Sequence, residues 1–584
     1  MSFTRIRHRW PDWAPALRCA LRDGYRHQDF LKDLRAGVSV GVTALPVVLV
    51  LAIATGVAPQ HGLYAAAIAG LIAPLAGGSR YTITGPTAAF AVILHPIAAA
   101  HGLAGLLIAT MMAGVMLVAL GYSGMGRLIA YVPYPVMAGF NAGIALVIAG
   151  LQLQDFLGIR VSALPEHFLA RMQALANALP SLHAQELAVG VATLALVSLW
   201  PKLKTPVPAF LVGTIFTGFL AFMLRHFWPQ WPVTTLADRY GDLFDGGLHA
   251  GIALPRIEWP WHRFGANGLS PPVSVTLLRD LLGPACAIAL LGALQSLRCA
   301  AAADRNTGSM HNADAELVGQ GLGNLIAPLF AGIPAAGAQA GTVANIRAGA
   351  RTPLAAAIHA LVVLLAALLL APLLAWLPMS GLAALLLVLA WNISGREKFL
   401  RIFRIAPRSD VLLLLLSLVI TVFISATIAI AIGVVLAALL FMHRMAQVSH
   451  VTQVGAGQLR APLGLPAYAR YYTINGPLFF AAAAQATEAL KIDDDRVRAV
   501  ILDLVAVPSI DVTGLVALEG VIDKLNQAGI FVAICSAQSP VLRVLRDAGY
   551  LKQEGRLWYY ASVPAAIRRL HEPGLKSAVP PATL

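Results

Sequence analysis

Many long stretches of the chain carry no charged side chain, and they constrain the fold more than any other feature. Among them are residues 36–54, 102–121, 353–377 and 411–442. A helix needs roughly 20 apolar residues to cross the hydrocarbon core of a bilayer, so each run predicts a transmembrane helix, whole or divided at an internal break. With 58% hydrophobic and 12% charged residues, the 584-residue chain is predicted to be a polytopic α-helical membrane protein.

The charges predict an orientation and argue against several functions. Basic residues crowd the N-terminal arm, residues 1–35, and the positive-inside rule places this arm in the cytoplasm. The formal net charge of +14 then reflects cations that flank helices and meet anionic lipid, rather than a nucleic-acid surface. The four scattered cysteines give neither a disulfide framework nor metal-ligand spacing. We therefore expect membrane lipid as a partner, but no nucleic acid, metal, cofactor or enzymatic activity.

The residue pattern changes near residue 447, after which it becomes that of a small soluble domain. Residues 498–507 and 530–536 read as buried strands, and 512–529 and 541–550 as amphipathic helices. This alternation predicts an α/β domain with a parallel or mixed sheet. The predicted divisions are a cytoplasmic arm at 1–35, a transmembrane domain at 36–446, a linker at 447–465, the α/β domain at 466–572 and a tail at 573–584.

Fourteen candidate spans fall into two groups of seven, separated by a polar stretch of about 50 residues that is rich in Trp, Pro and Gly. They are 37–55, 62–77, 84–99, 102–121, 128–151, 184–200 and 206–225, then 277–301, 315–331, 337–349, 354–373, 378–393, 409–425 and 427–445. An odd number of spans per half gives the halves opposite orientations, which is the pattern of inverted repeats. The layout puts the α/β domain in the cytoplasm and cations such as Arg298 and Arg305 in inner loops.

The third and tenth spans are too short to cross a membrane. The third, TITGPTAAFAVILHPIA (82–98), is predicted to end at Pro96, and the tenth is GIPAAGAQAGTVANI (332–346). Short segments interrupted by Gly and Pro at matching positions of two repeats are the best sequence pointer to a transporter site. Helix N-termini present free amide groups and partial positive charge, so two that face each other form an anion site without Lys or Arg. The alternative is that these small residues only allow close helix packing.

Several motifs together resemble the sulfate-permease (SulP) family of anion transporters. They are GVAPQHGLYAA (56–66), GGSRYTITGPTAAF (77–90), ELVGQGLGNLIAPLFAGIP (316–334) and NIRAGARTPL (345–354), and PSIDVTGL (508–515) is similar to the family's C-terminal STAS domain. Within the family the chain looks most similar to bacterial C4-dicarboxylate transporters. The resemblance implies seven-plus-seven inverted repeats with half-helices at spans 3 and 10, a core domain that moves against a gate domain, and a homodimer.

The resemblance also implies the substrate-binding residues. They are Pro86, Thr87, Ala88 and Ala89 in the third span, Gly337, Ala338 and Gln339 in the tenth span, and Gln295 in the eighth.

Three positions depart from the family pattern. Gln295 replaces a usual Glu, Gly341 replaces a usual Arg, and Ser425 stands where Asp is frequent. A buried acid beside a substrate can carry a coupling proton, and a Gln side chain does not titrate. We therefore expect no proton coupling through Gln295, which leaves uniport, exchange or coupling elsewhere.

In the C-terminal domain, Thr513 precedes a glycine at a predicted helix start, where related domains accept phosphate on Ser or Thr. The competing interpretation is that Asp511 and Thr513 only cap the helix. For the whole chain we predict secondary transport of a small anion across the bacterial inner membrane by an elevator-like movement. A C4-dicarboxylate such as succinate or fumarate is the first candidate substrate, and sulfate or bicarbonate is the second. A non-transporting anion sensor is the alternative of another class.

Overall fold

A computed structural model describes most of the chain. The described residues are 14–126, 133–159, 161, 165, 167–205, 207–228, 231, 233–241, 254–262, 274–448, 450–453, 464–478, 496–553 and 557–571. The chain divides into two compact units, Met1–Val434 and Val435–Leu584. Residues 1–13 of the predicted arm, part of the predicted linker and the whole predicted tail lie outside the described residues.

Among its described residues, the regular structure of the first unit is helical apart from two strands of two residues each. Its first half comprises α1 (Pro15–Arg22), α2 (His27–Ala54), α3 (Pro59–Ala76), β1 (Thr84–Gly85), α4 (Ala88–Tyr122), α5 (Tyr134–Leu157), α6 (Phe168–Asn177), α7 (Ala184–Leu199), α8 (Ala209–Phe227) and α9 (Leu236–Arg239). Its second half comprises α10 (Val275–Thr307), α11 (Ala313–Ile326), β2 (Ala336–Gly337), α12 (Gln339–Arg347), α13 (Leu354–Leu369), α14 (Ala371–Ala375), α15 (Met379–Ser394), α16 (Arg396–Ile405), α17 (Arg408–Phe423) and α18 (Ala426–Val448), which continues into the second unit.

Seven helices among the described residues are long and apolar enough to cross a membrane, which supports a multi-pass protein. The count of 14 spans stays a prediction. The expected end of the third span at Pro96 was wrong, because α4 continues through Pro96 and its helical backbone breaks only at Gly102 (φ 65°, ψ −168°). The part before the break, residues 88–101, is about 21 Å long at 1.5 Å per residue, shorter than the hydrocarbon core.

The assignment of Arg298 and Arg305 to a loop was also wrong, whereas their placement on the inner side of the membrane stays a prediction. Helix α10 runs to Thr307 and includes both residues. The physical reason is the sequence CAAAAD between them, in which four consecutive alanines, the strongest helix formers, extend the helix beyond its apolar run.

The helices pack as two bundles whose contacts repeat between the halves of the chain. The first bundle consists of α2, α3, α4, α10, α11, α12 and α13, and the second of α5, α7, α8, α15 and α17. In the first bundle, the packing of α2 on α13 has its counterpart in α10 on α4, and α3 on α13 corresponds to α11 on α4. In the second bundle, α5 on α17 corresponds to α15 on α7. This reciprocity is the contact pattern that inverted repeats produce.

A buried carboxylate anchors α2 to the loop that precedes α13. Asp33 is 0% exposed, and its side chain accepts hydrogen bonds from the amides of Arg351 (2.6 Å) and Thr352 (3.2 Å). It also accepts from the hydroxyls of Thr352 (2.6 Å) and Tyr25 (3.1 Å). A buried charge is tolerated where hydrogen bonds satisfy it, so Asp33 fixes the loop that follows α12.

The second unit is an α/β domain, as predicted. Its elements are β3 (His450–Gln453), β4 (Ala469–Asn475), β5 (Ala499–Ala506), α19 (Val512–Gln527), β6 (Phe531–Cys535), α20 (Ser539–Asp547), β7 (Lys552–Gln553), β8 (Leu557–Tyr560) and α21 (Val563–His571). The sheet order is β3-β4-β5-β6-β8-β7, in which β4, β5, β6 and β8 are parallel and the two outer strands antiparallel. Helices α19 and α20 contribute to the hydrophobic core on one face, and α21 to that on the other.

Candidate functional site: two helix ends beside a strand crossing

The predicted half-helices meet at a short antiparallel crossing. Thr84 pairs with Gly337 and Gly85 with Ala336. Helix α4 begins at Ala88 and α12 begins at Gln339, each shortly after the crossing. Because the paired strands run in opposite directions, the two helices leave the crossing in opposite directions with both N-termini beside it.

Side-chain amides of α11 hold the crossing in place. The Asn324 amide group donates to the Ala335 carbonyl (2.8 Å), and its oxygen accepts from the Ala335 amide (2.8 Å). Gln320, one turn earlier, also donates to the Ala335 carbonyl (2.9 Å) and accepts from the Thr84 hydroxyl (3.3 Å). Sequence reasoning missed both residues, although two amide side chains spaced i, i+4 in an apolar helix were a usable signal.

Helix α10 approaches the same crossing so closely that only glycine fits at position 337. The Gly337 amide donates to the Ser296 hydroxyl (3.0 Å). A Cβ added at Gly337 would lie 2.9 Å from the Cα of Ser296 and 2.9 Å from the Cβ of Cys299. The glycine is therefore required by close approach of two backbones.

The N-terminal end of α4 presents hydrogen-bond donors that have no acceptor among the described residues. Thr87 is the N-cap residue, yet its side chain makes no capping hydrogen bond. Its hydroxyl oxygen is buried and has no partner among the described residues. The Phe90 amide bonds back to the Thr87 carbonyl (3.0 Å), while the first helical amides, those of Ala88 and Ala89, have no carbonyl one turn before them. An orphaned buried hydroxyl beside free amides is the arrangement that a bound anion would satisfy.

At the N-terminal end of α12, the free amide donors lie later in the chain than the sequence analysis predicted. The amides of Gly337 and Ala338, both expected at the anion site, are already bonded to Ser296 and to the Ile83 carbonyl (2.7 Å). The helical amides that follow, those of Gln339, Ala340 and Gly341, are the unpaired first-turn donors of this helix. Of the predicted residues in this segment, Gln339 alone offers a free first-turn amide.

The positions that depart from the family pattern lie in different places. Gln295 is half-buried on α10, next to Ser296, which contacts the crossing. Gly341 lies in the first turn of α12, where an added Cβ would come 3.2 Å from Ile83. Ser425 precedes α18, and its hydroxyl accepts a hydrogen bond from the Thr427 amide (3.2 Å). Gln295 and Gly341 therefore lie in the surroundings of the crossing, whereas Ser425 serves as a helix cap.

In the second unit, Asp511 caps α19, because its carboxylate accepts from the Gly514 amide (2.6 Å). Thr513 is exposed in the first turn of this helix. The capping role of Asp511 is confirmed, and phosphorylation of Thr513 stays a prediction.

Comparison with protein families matches both units. The model described as "Sulfate permease family" matches residues 30–417, and the one described as "STAS domain" matches residues 467–566. The chain is 34% identical to the "Putative sulfate transporter YvdB" of Bacillus subtilis (strain 168), over 92% of this chain and 97% of that protein. It is 30% identical to the "Bicarbonate transporter BicA" of Picosynechococcus sp., over 89% of this chain and 91% of that protein.

Solved structures show the same likeness. The transmembrane domain of a cyanobacterial bicarbonate transporter, BicA, superposes with a TM-score of 0.58 and 28% identity, over 71% of this chain and 98% of that chain. The overall structure of SLC26A9 superposes with a TM-score of 0.81 over 96% of this chain and 94% of that chain. Its identity of 17% limits this second likeness to the fold.

Proposed function

Because the chain belongs to the sulfate permease family, and so is a multi-pass anion transporter, we propose that it carries a small oxyanion across the bacterial inner membrane through the two helix ends beside the crossing. The observation that carries the proposal is the unpartnered, buried Thr87 hydroxyl beside the free amides of Ala88 and Ala89. Direct hydrogen bonds from these groups supply the binding that a helix dipole alone, worth about 0.3–2 kcal/mol, does not.

The charge of the site favours a monovalent anion. Each helix end carries roughly half a positive elementary charge, so the two ends together offer about one. The segments that build them, residues 82–90 and 335–342, contain no Lys or Arg. One negative charge is balanced by this arrangement, whereas a second would be buried without compensation. Bicarbonate is therefore the first candidate substrate, and the name of the BicA relative agrees with it.

A C4-dicarboxylate, the first expectation from the sequence, becomes the second candidate. The observation that favours it is the presence of two separate helix ends, each able to receive one carboxylate. The name of the YvdB relative suggests sulfate. Sulfate also carries a second negative charge, but unlike a C4-dicarboxylate it has no two separate carboxylates to place at the two helix ends.

The movement we propose is a displacement of the first bundle, which contains the crossing, against the second. The support is that all elements of the crossing and its scaffold, α4, α10, α11 and α12, pack within one bundle. That bundle could carry the anion as a unit. We further propose a homodimer with both termini in the cytoplasm, following the sequence-based orientation and the family resemblance.

Coupling of anion transport to protons depends on the side chains around the crossing. Gln295 and Gly341 have no ionisable side chain, so neither provides a titrating group beside the anion. We propose exchange or uniport at this site rather than proton-driven uptake.

The test is flux in proteoliposomes that contain the purified full-length protein. Saturable uptake of radiolabelled bicarbonate is expected, with weaker inhibition by unlabelled succinate and sulfate, and no stimulation by an inward proton gradient. The control is Gly337→Ala, which blocks the approach of α10 to the crossing. Stimulation by the gradient that persists in Gln295→Ala would refute the coupling proposal. Anion binding without flux would indicate the sensor, and conductance without saturation would indicate a channel.

A further inference from the structure

An apolar cavity of about 610 Å³ lies between α16 and the helices α5, α7, α15 and α17 of the second bundle, and none of its lining residues belongs to the crossing. Ala142, Ala145 and Ala149 occupy one face of α5 at the spacing i, i+3, i+7. Their small side chains leave the space between α5 and the Trp391 side of α15 unfilled. The volume is that of a small-molecule site, for which about 300–1,000 Å³ is usual.

The cavity reaches to the depth of one membrane leaflet. Leu418 lines its wall and lies ten residues beyond Arg408, at which α17 begins. Ten helical residues span about 15 Å, which is half of the roughly 30 Å hydrocarbon core. Arg396 also lines the cavity and is exposed, whereas Ala145 is 6% exposed. The cavity therefore opens at the cationic end of these helices, the predicted cytoplasmic end, and is enclosed further in.

The opening carries a cation that no carboxylate of the described residues neutralises. The Arg396 guanidinium lies over the ring of Trp391, with 5.7 Å between its Cζ and the ring centroid, and both side chains line the cavity. Within the described ranges this guanidinium forms no ion pair. Arg presents a planar set of donors that matches a phosphate group in a bidentate manner. The opening is thus complementary to a phosphate.

Helix α16 extends this positive charge along the predicted membrane surface. Residues 396–408 contain one acid, Glu397, and five cations. The cations are Arg396, Lys398, Arg401, Arg404 and Arg408. On the apolar side of α16, Phe399 lines the cavity and Ile402 is buried. A basic amphipathic helix with its apolar side inward is typical of a segment that lies in the membrane interface and meets anionic lipid.

We propose that the cavity binds one anionic phospholipid of the cytoplasmic leaflet, with an acyl chain against α5 and α15 and its phosphate on the Arg396 guanidinium. Because the bilayer interior is as apolar as the cavity, the chain adds little selectivity. The preference for an anionic headgroup comes from Arg396. The bound lipid joins α5, α7 and α15, so it stabilises the folded second bundle. This site is separate from the crossing and does not depend on the proposed anion.

The experiment adds phosphatidylglycerol, or phosphatidylethanolamine with the same chains, to delipidated full-length protein in detergent. Bound lipid is counted by native mass spectrometry, and the thermal midpoint is followed over the titration. Wild type should retain one phosphatidylglycerol per chain in preference to the zwitterionic lipid. Glycerol 3-phosphate, which has the phosphate without the chains, should give no stabilisation that depends on Arg396.

Two variants separate the headgroup from the chain. Arg396→Gln should weaken phosphatidylglycerol binding about tenfold or more and remove the preference between the two lipids. Its control is Arg404→Gln, an exposed cation on the same helix that does not line the cavity, which should cost at most about fivefold. Ala149→Leu should weaken binding of both lipids and leave the lipid-free midpoint unchanged or higher, because it fills the cavity. Its control is Ala195→Leu, at an exposed position of α7 outside the cavity, which should bind as wild type does.

Three results would overturn the proposal. The first is equal binding of the two lipids by wild type, or a preference that persists in Arg396→Gln. The second is unchanged lipid binding in Ala149→Leu, since the chain would then lie elsewhere. The third is a change of oligomeric state in Ala149→Leu without a change in bound lipid, which would make the cavity a face between two copies of the chain. Bicarbonate flux tests the proposed function separately, so either can fail alone.

Discussion

Replacing Thr87 by valine should have opposite effects on stability and on anion binding. Valine keeps the branched shape of threonine and removes the hydroxyl. In the ligand-free protein this hydroxyl is buried and bonded to nothing among the described residues, and it does not cap α4. The free energy of unfolding should therefore stay the same or increase, by up to about 1–3 kcal/mol, the cost of burying an unsatisfied polar group.

Anion affinity should change in the other direction. A hydrogen bond to a charged group contributes about 1.5–3 kcal/mol, so its loss should weaken binding roughly 10- to 150-fold. The assay is thermal unfolding of purified full-length protein over a titration of bicarbonate, which gives the ligand-free midpoint and the apparent affinity together.

The matched control is Thr84→Val, because the Thr84 hydroxyl donates to Gln320 within the scaffold (3.3 Å). Its replacement should lower the stability of the ligand-free protein, since the buried Gln320 oxygen then loses a donor. A lower ligand-free midpoint in Thr87→Val, or an affinity within about twofold of wild type, would refute the reasoning that this hydroxyl serves the anion.

Three further results are expected. Gly337→Ala should abolish transport, because its Cβ would lie 2.9 Å from the Cα of Ser296, whereas Gly341→Ala, with 3.2 Å to a side-chain methyl group of Ile83, should retain most of it; uptake assays on both variants decide this. Asp33→Ala should destabilise the first unit by about 2–4 kcal/mol, because four hydrogen bonds to a buried carboxylate are lost, and a chemical unfolding midpoint equal to wild type would contradict the anchoring role. Burial, with a smaller contribution from Asp503, raises the pKa of the Cys535 thiol, so alkylation of this cysteine near neutral pH should occur only on unfolding, as peptide mapping by mass spectrometry would show.

The sequence was sufficient to predict the class, the order of the membrane and α/β parts, and the two half-helices that begin beside the crossing, for physical reasons. Long uncharged apolar runs form few structures other than membrane helices. Gly-Pro breaks at matching positions of two repeats leave helix ends at membrane depth. The strand at 498–507 and the helix at 512–529 were predicted nearly to their ends, because their periodicities are strong and Gly529 ends the helix.

Sequence reasoning was less successful where long-range partners decide the outcome. The expected role of the Ala338 amide ignored the Ile83 carbonyl, which is distant in sequence and takes that donor. Pro96 was expected to end a helix, since its missing amide usually does so, but neighbouring helices at membrane depth can compensate for the lost hydrogen bond. Arg298 was assigned to a loop because charge was taken to mark the end of a span, whereas the alanines that follow it continue the helix.

The most direct test of the central claim removes a backbone donor without touching any side-chain charge. Proline at a first helical position eliminates one amide and is otherwise tolerated, and Thr87 already has the extended backbone that a following proline requires (φ −122°, ψ 150°). Ala88→Pro should therefore weaken bicarbonate-dependent thermal stabilisation about tenfold or more with little change in the ligand-free midpoint. Val275→Pro, at the first position of α10, is the control and should bind as wild type does. If Ala88→Pro binds bicarbonate as tightly as the control, the anion is not held by the helix ends and the account is contradicted.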